Sequence, residues 1–240
     1  MQNNYCLKLL QAIRKSNEKV LSRLICAHSH TDLPQNIPIN STLLQLTNSA
    51  KEPEGSWLVL QALWKELMSH AAARPPVLFA LDGLPHIMKI SDYRSPAFEK
   101  IHSQDLSLVR LFCDALSGST SLPNGGAIIA ATTRGNAPRS RSMDLALAQR
   151  EAAQVGSEVP QPDPYFKGYD LRSEAVLRTV NVMKLKGLSK LEARSLMEYW
   201  AASGVLRAKC DDATVTEKWT LGGHGIVGEM ERASLSSVRT

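Results

Sequence analysis

The chain has 240 residues and a mass of 26.3 kDa, enough for one substantial core or for one core with a small appended domain. Its 43% hydrophobic and 21% charged residues describe a globular chain, and 28 basic against 23 acidic side chains leave a net charge of +5, with a pI near 9.1. That balance suits an acidic partner such as RNA or an anionic surface without requiring one, whereas the four scattered cysteines, Cys6, Cys26, Cys113 and Cys210, speak against a disulfide framework and a zinc knuckle.

No run approaches the roughly 18 apolar residues needed to cross a bilayer, and the first residues lack the basic start and apolar stretch of a secretory signal. A soluble, non-secreted chain without a membrane partner is expected. Residues 5–26 predict an amphipathic helix, with Leu10, Ile13, Leu21, Leu24 and Ile25 on one side and Lys8, Arg14, Lys15, Lys19 and Arg23 between them. A presequence is not assigned to it; the basic residues read as a solvated face. His28 and His30, with Asp32 nearby, have no second cluster of metal ligands close in sequence, so no metal site is expected. Residues 31–54, rich in Asn, Pro, Ser and Thr, predict an extended surface connection. Trp57–Ala73 then carries Trp57, Leu58, Leu60, Leu63, Trp64, Leu67 and Met68 on a broad apolar face, and predicts a helix packed on the next strand.

That strand opens the central stretch. Val77–Asp82 is an uninterrupted apolar run ending in a carboxylate, and Ala127–Thr133 is a second run ending in hydroxyls; each follows a turn signal rich in Pro or Gly. Neither alternates in polarity, as expected for parallel strands buried on both faces. Residues 104–116 have helical spacing, which completes a strand–helix–strand crossover. Ligands of such sheets gather at the carboxyl ends of the strands, where Asp82, Thr132 and Thr133 project. Four hydrophobic residues followed by an acid also form a Walker B element, whose Asp holds Mg²⁺ beside a nucleotide phosphate, although many strands end in Asp simply to cap a turn. Residues 91–102 read as a polar loop, and His86 and His102 as capping or surface residues, because no G-x-S-x-G nucleophile turn accompanies them.

Beyond Thr133 the loop bearing Arg134, Arg139 and Arg141 has no acid and no interleaved aromatic, a pattern suited to an RNA backbone and equally to a free basic loop. Residues 151–168 predict a linker between an α/β core at 1–150 and a lid-like helical domain at 169–240. In the latter, Ser173–Lys186 and Ser189–Ala202 predict helices, the second opened by a Ser189/Glu192 capping box, and Val215–Leu221 predicts a strand. Gly223-x-Gly225-x-x-Gly228 matches the dinucleotide fingerprint, but the following chain leaves no room for a second strand and its acid.

Leu78–Gly83, Ile101–Val109, Gly125–Thr132 and the glycine-rich turn before Glu229-Met230-Glu231-Arg232, in this order and spacing, resemble the death-associated protein family of mitochondrial small-subunit ribosomal proteins, its fungal branch in particular. The resemblance implies a P-loop NTPase-like core of the AAA type, guanine nucleotide and Mg²⁺ in full-length members, and a place in the mitochondrial matrix on the small ribosomal subunit, against rRNA and ribosomal proteins. On that mapping Asp82 takes the Walker B position, and Thr132 and Thr133 are the polar residues after the following strand. Arg134, Arg139 and Arg141 have no secure counterpart, so their RNA role rests on charge. The family's G-x-x-x-x-G-K-[ST] segment is not in this sequence, as if the chain began past it. The expectations are therefore a structural ribosomal component with no catalysis, no cofactor for these residues and no small-molecule substrate, and an isolated chain that is poorly soluble or partly molten. A GTP-binding role that needs the absent segment is the alternative. A hydrolase using Asp82 with His86 lacks a nucleophile signature.

Overall fold

The computed structural model of the chain describes residues 2–70, 74–132 and 137–235. These divide into two compact units, Met1–Asn181 and Val182–Thr240.

Helix α1 (Gln2–Leu21) buries Cys6, Leu10 and Leu21 and is kinked at Asn17, whose side-chain amide donates to the Ile13 carbonyl at 3.0 Å. The segment 31–54, expected to be a surface connection, instead carries helix α2 (Leu43–Asn48). Thr42 and Gln45 form a capping box there, and the apolar Leu43 and Leu46 are wholly buried, which outweighs the polar composition around them. Helix α3 (Ser56–Leu67) is shorter than the sequence predicts, ending at the Met68 cap. The three helices close the first core around Leu10, Leu43, Leu46, Val59 and Leu63.

Strand β1 (Val77–Asp82) follows, then a 3₁₀ turn at Leu84–His86. Residues expected to form a polar loop make an antiparallel hairpin of β2 (Ile90–Arg94) and β3 (Lys100–His102). The turn between them is organised by Ser95, whose hydroxyl accepts from the Ala97 and Glu99 amides, a local device that hydrophobic periodicity does not register. Helix α4 (Ser107–Leu116) then leads to β4 (Gly126–Ala131), which pairs with β1 in parallel, from Val77 opposite Gly126 to Asp82 opposite Ala131. This is the predicted crossover unit.

Burial on both faces does not hold. Val77, Phe79, Leu81, Ile128 and Ala130 face inward, and Phe79 stacks on Trp64 of α3 with ring centroids 4.3 Å apart. Leu78, Ala80, Asp82, Ala127, Ile129 and Ala131 face out, with Leu78 64% and Ile129 53% exposed. Among the described residues nothing covers this side.

Helix α5 (Arg141–Val155) and helix α6 (Leu171–Leu177) pack on each other, and α6 on α4, around Met143, Ala146, Val176 and Leu177, with Leu84 and Met88 in the same cluster. They are held across the intervening residues by the Asp170 amide on Ser142 Oγ at 2.8 Å and by Arg150 Nε on the Val180 carbonyl at 2.6 Å. The compact units divide at 181/182, and residues 151–168 fall within the first. α6 also stops short of Lys186, ending at the Arg178 cap before the β-branched Thr179 and Val180.

The second unit contains α7 (Lys190–Ala202), α8 (Asp212–Leu221) and α9 (Val227–Leu235) around Ala193, Met197, Leu206, Val215 and Met230. The Ser189/Glu192 capping box is present. Residues 215–221 are helical rather than extended: Asp211 caps the Thr214 amide at 2.8 Å, and Val215 and Trp219, four residues apart, then fall on the core side. Of the three fingerprint glycines, Gly225 serves close packing, while a Cβ at Gly228 would meet nothing within 4 Å. Gly225 lies against the backbone of Leu188, whose amide donates to its carbonyl at 2.8 Å, so a Cβ would collide there.

Candidate functional site

Asp82 ends β1 and Thr132 follows β4, so the parallel register brings both to the same end of the pair, and both are exposed. Thr133 and Arg134 lie outside the described residues. Gly83 turns the chain at φ 79° into the 84–86 turn, which buries Leu84 and Pro85 and leaves His86 exposed. Among the described residues this end offers one carboxylate and one hydroxyl, while Mg²⁺ takes six oxygens. A cation would need phosphate or water for most of its shell.

Arg139 is exposed, and Arg141 opens α5 with its guanidinium 4.6 Å from the ring centre of Phe166, which meets Tyr169 edge-on at 4.8 Å. An aromatic partner for the arginine loop thus exists, although the local sequence shows none, because it arrives from 25 residues along the chain. Tyr165 beside it is 94% exposed.

A third cluster lay beyond sequence reasoning. Glu66 of α3 is wholly buried, and its carboxylate accepts from the Ala27 amide at 2.7 Å, the His28 amide at 2.9 Å and Arg74 Nη2 at 2.6 Å. His28 Nδ1 and His30 Nε2 lie 3.2 and 2.9 Å from the same oxygen, Oε1, and Cys26 lies beside them. Burial pushes the Glu66 pKa up, but the two amides and the two imidazoles outweigh it and hold the carboxyl below its ordinary value. Burial, with the Glu66 charge added, pushes the Cys26 thiol up to about 11. Asp32, the acid nearest in sequence, is not in the group of Cys26, His30 and Glu66. The two histidines were visible in the sequence; their acid is 36 residues from His30, and only the fold joins them.

These features define an α/β protein built on a parallel strand–helix–strand unit, with a carboxylate and a hydroxyl at the carboxyl end of its strands and, among the described residues, one sheet face uncovered. Residues 1–233 match the family described as mitochondrial ribosomal death-associated protein 3, and the chain belongs to that family. It is 63% identical over 240 residues to small ribosomal subunit protein mS29 of Neurospora crassa, an overlap of 99% of this chain and 51% of the relative. The chain thus spans about half the length of that relative.

Proposed function

We propose that the chain serves as a structural component of the mitochondrial small ribosomal subunit, bound in the matrix to rRNA and neighbouring ribosomal proteins, and that it catalyses no reaction there. The reading is carried by 63% identity, along 99% of the chain, to a protein named for that subunit. The excess of basic residues and the exposed Arg139 are in keeping with rRNA contact. The test is to tag the protein at its native locus and sediment a mitochondrial lysate at moderate salt. Co-migration with the small subunit, lost when Mg²⁺ is chelated, is expected; a tag that stays at the top of the gradient would overturn the reading.

A second reading concerns nucleotide, and rests on Asp82 and Thr132 at the carboxyl ends of adjacent parallel strands. In it, β1 and β4 are two strands of a larger P-loop NTPase-like sheet, whose phosphate loop lies in the part of the family's length that this chain does not span, and Asp82 sits near Mg²⁺ and GTP. Arg134, Arg139 and Arg141 are not assigned to nucleotide. The 240 residues alone, without G-x-x-x-x-G-K-[ST], are expected to show no GTP binding in equilibrium dialysis, while a protein of the relative's full length binds. Tight binding by the 240 residues alone would refute the assignment.

A further inference from the structure

We propose that Cys26, His30 and Glu66 form a structural zinc site that fastens the loop after α1 to α3, an assignment independent of the ribosomal reading. A thiol sulfur, an imidazole nitrogen and a carboxylate oxygen, all buried, lie within 4.8 Å of one another. This mixed sulfur, nitrogen and oxygen set suits Zn²⁺ above the harder Mg²⁺ and Ca²⁺, which take oxygen. Metal bonds of about 2.0 Å to nitrogen and oxygen and 2.3 Å to sulfur put tetrahedral ligands about 3.3–3.5 Å apart, so closing the set asks for roughly 1 Å of side-chain movement.

Two further observations bear on the site. His28 Nδ1 lies 3.2 Å from Glu66 Oε1, and its half-exposed side chain, on the same short loop, can complete four-coordination from the solvent side. Arg74 holds the other carboxylate oxygen, Oε2, at 2.6 Å, which leaves Oε1 turned to the histidines, the kind of outer hydrogen bond that orients metal-binding carboxylates. On binding, the thiol proton leaves to solvent, and the His30 Nε2 proton leaves while water returns one to Nδ1. The imidazole so stays neutral in its other tautomer, one proton is released in all, and the His30–Glu66 hydrogen bond is replaced by two bonds to the metal. Zn²⁺, thiolate and carboxylate sum to zero charge, and the Arg74 charge keeps its existing ion pair. The loop spans the strand-like bridges between Ile25 and Thr42 and between His30 and Ile37, so the ion would pin the connection between α1 and α2 to α3.

The experiment titrates the metal-free 240-residue chain with Co²⁺ and then Zn²⁺. Expected are one equivalent of Co²⁺ with a thiolate-to-metal charge-transfer band, its displacement by Zn²⁺, loss of the band in Cys26→Ser, and at least tenfold weaker binding in His30→Gln. Alkylation mapped by mass spectrometry in mild denaturant gives a second readout that needs no variant. Zn²⁺ should slow modification of Cys26 at least tenfold, and by more than it slows Cys6 of the same core, and leave Cys210 of the second unit unchanged. Absence of the thiolate band, unchanged metal binding in Cys26→Ser, or equal alkylation of Cys26 with and without Zn²⁺ would each overturn the site.

Discussion

At the scale of single residues, two buried groups make the structure sensitive to charge. In chelator-treated protein, Glu66→Gln removes the carboxylate facing Arg74, whose side chain is only 3% exposed. Breaking a buried pair by deleting one partner costs about 3–5 kcal/mol, because the other charge stays behind unpaired; urea denaturation should show a loss of that order. A loss under about 1 kcal/mol would mean that the guanidinium reaches water. His102, at the end of β3, sits 3.0 Å from Asp170 and is 6% exposed. Burial pushes its pKa down, the Asp170 and Asp105 carboxylates oppose this in part, and Arg172 adds to it. The unfolded chain takes up this proton near the ordinary value of about 6.5, the folded one only at lower pH. Between those values the unfolded state holds more protons, so stability should fall as pH drops below about 6.5, and His102→Gln should flatten that limb of a denaturation-midpoint profile. Glu66 was not assigned its role from sequence, because it lies on a helix whose apolar pattern hides one buried acid. His102 reads as a capping or surface residue, and its Nδ1 does cap the 103–105 turn by accepting from the Gln104 amide at 3.2 Å, while its burial beside Asp170 comes only from the fold.

At the scale of elements, the sheet pair is the part most fully legible in the chain. The apolar runs, their turn signals and the crossover length were sufficient to place β1, α4 and β4 and to make the strands parallel, and the capping box placed the start of α7. Elements written by side-chain-to-backbone devices were missed, as with the Ser95 turn of the β2–β3 hairpin and the Asp211 cap of α8. The pairing has one exacting position. Gly126 sits at φ 137°, and a Cβ there would strike the backbone of Val77 opposite. Gly126→Ala is therefore expected to cost about 1–3 kcal/mol and to speed amide exchange along β1 and β4 before it affects α1–α3. Uniform loss of protection across the unit would show instead that the pair and the helices open together.

At the scale of the whole molecule, two compact units carry separate cores. Residues 182–240 enclose Met197 and Met230 completely, so this piece alone is expected to give a helical circular dichroism spectrum with a cooperative, if low, thermal transition, as befits its short chain. A spectrum without helix would show that the unit depends on the rest of the protein. The open sheet face also bears on synthesis. Val77 pairs with Gly126, 49 residues further along, so at about 5–20 residues per second a nascent β1 waits roughly 2–10 s for its partner. Through that interval Val-Leu-Phe-Ala-Leu is a naked β-forming segment of the kind holdase chaperones bind. Production of the protein should accordingly track chaperone supply more steeply than its final fold would suggest, and slowing translation after residue 82 should lower the yield.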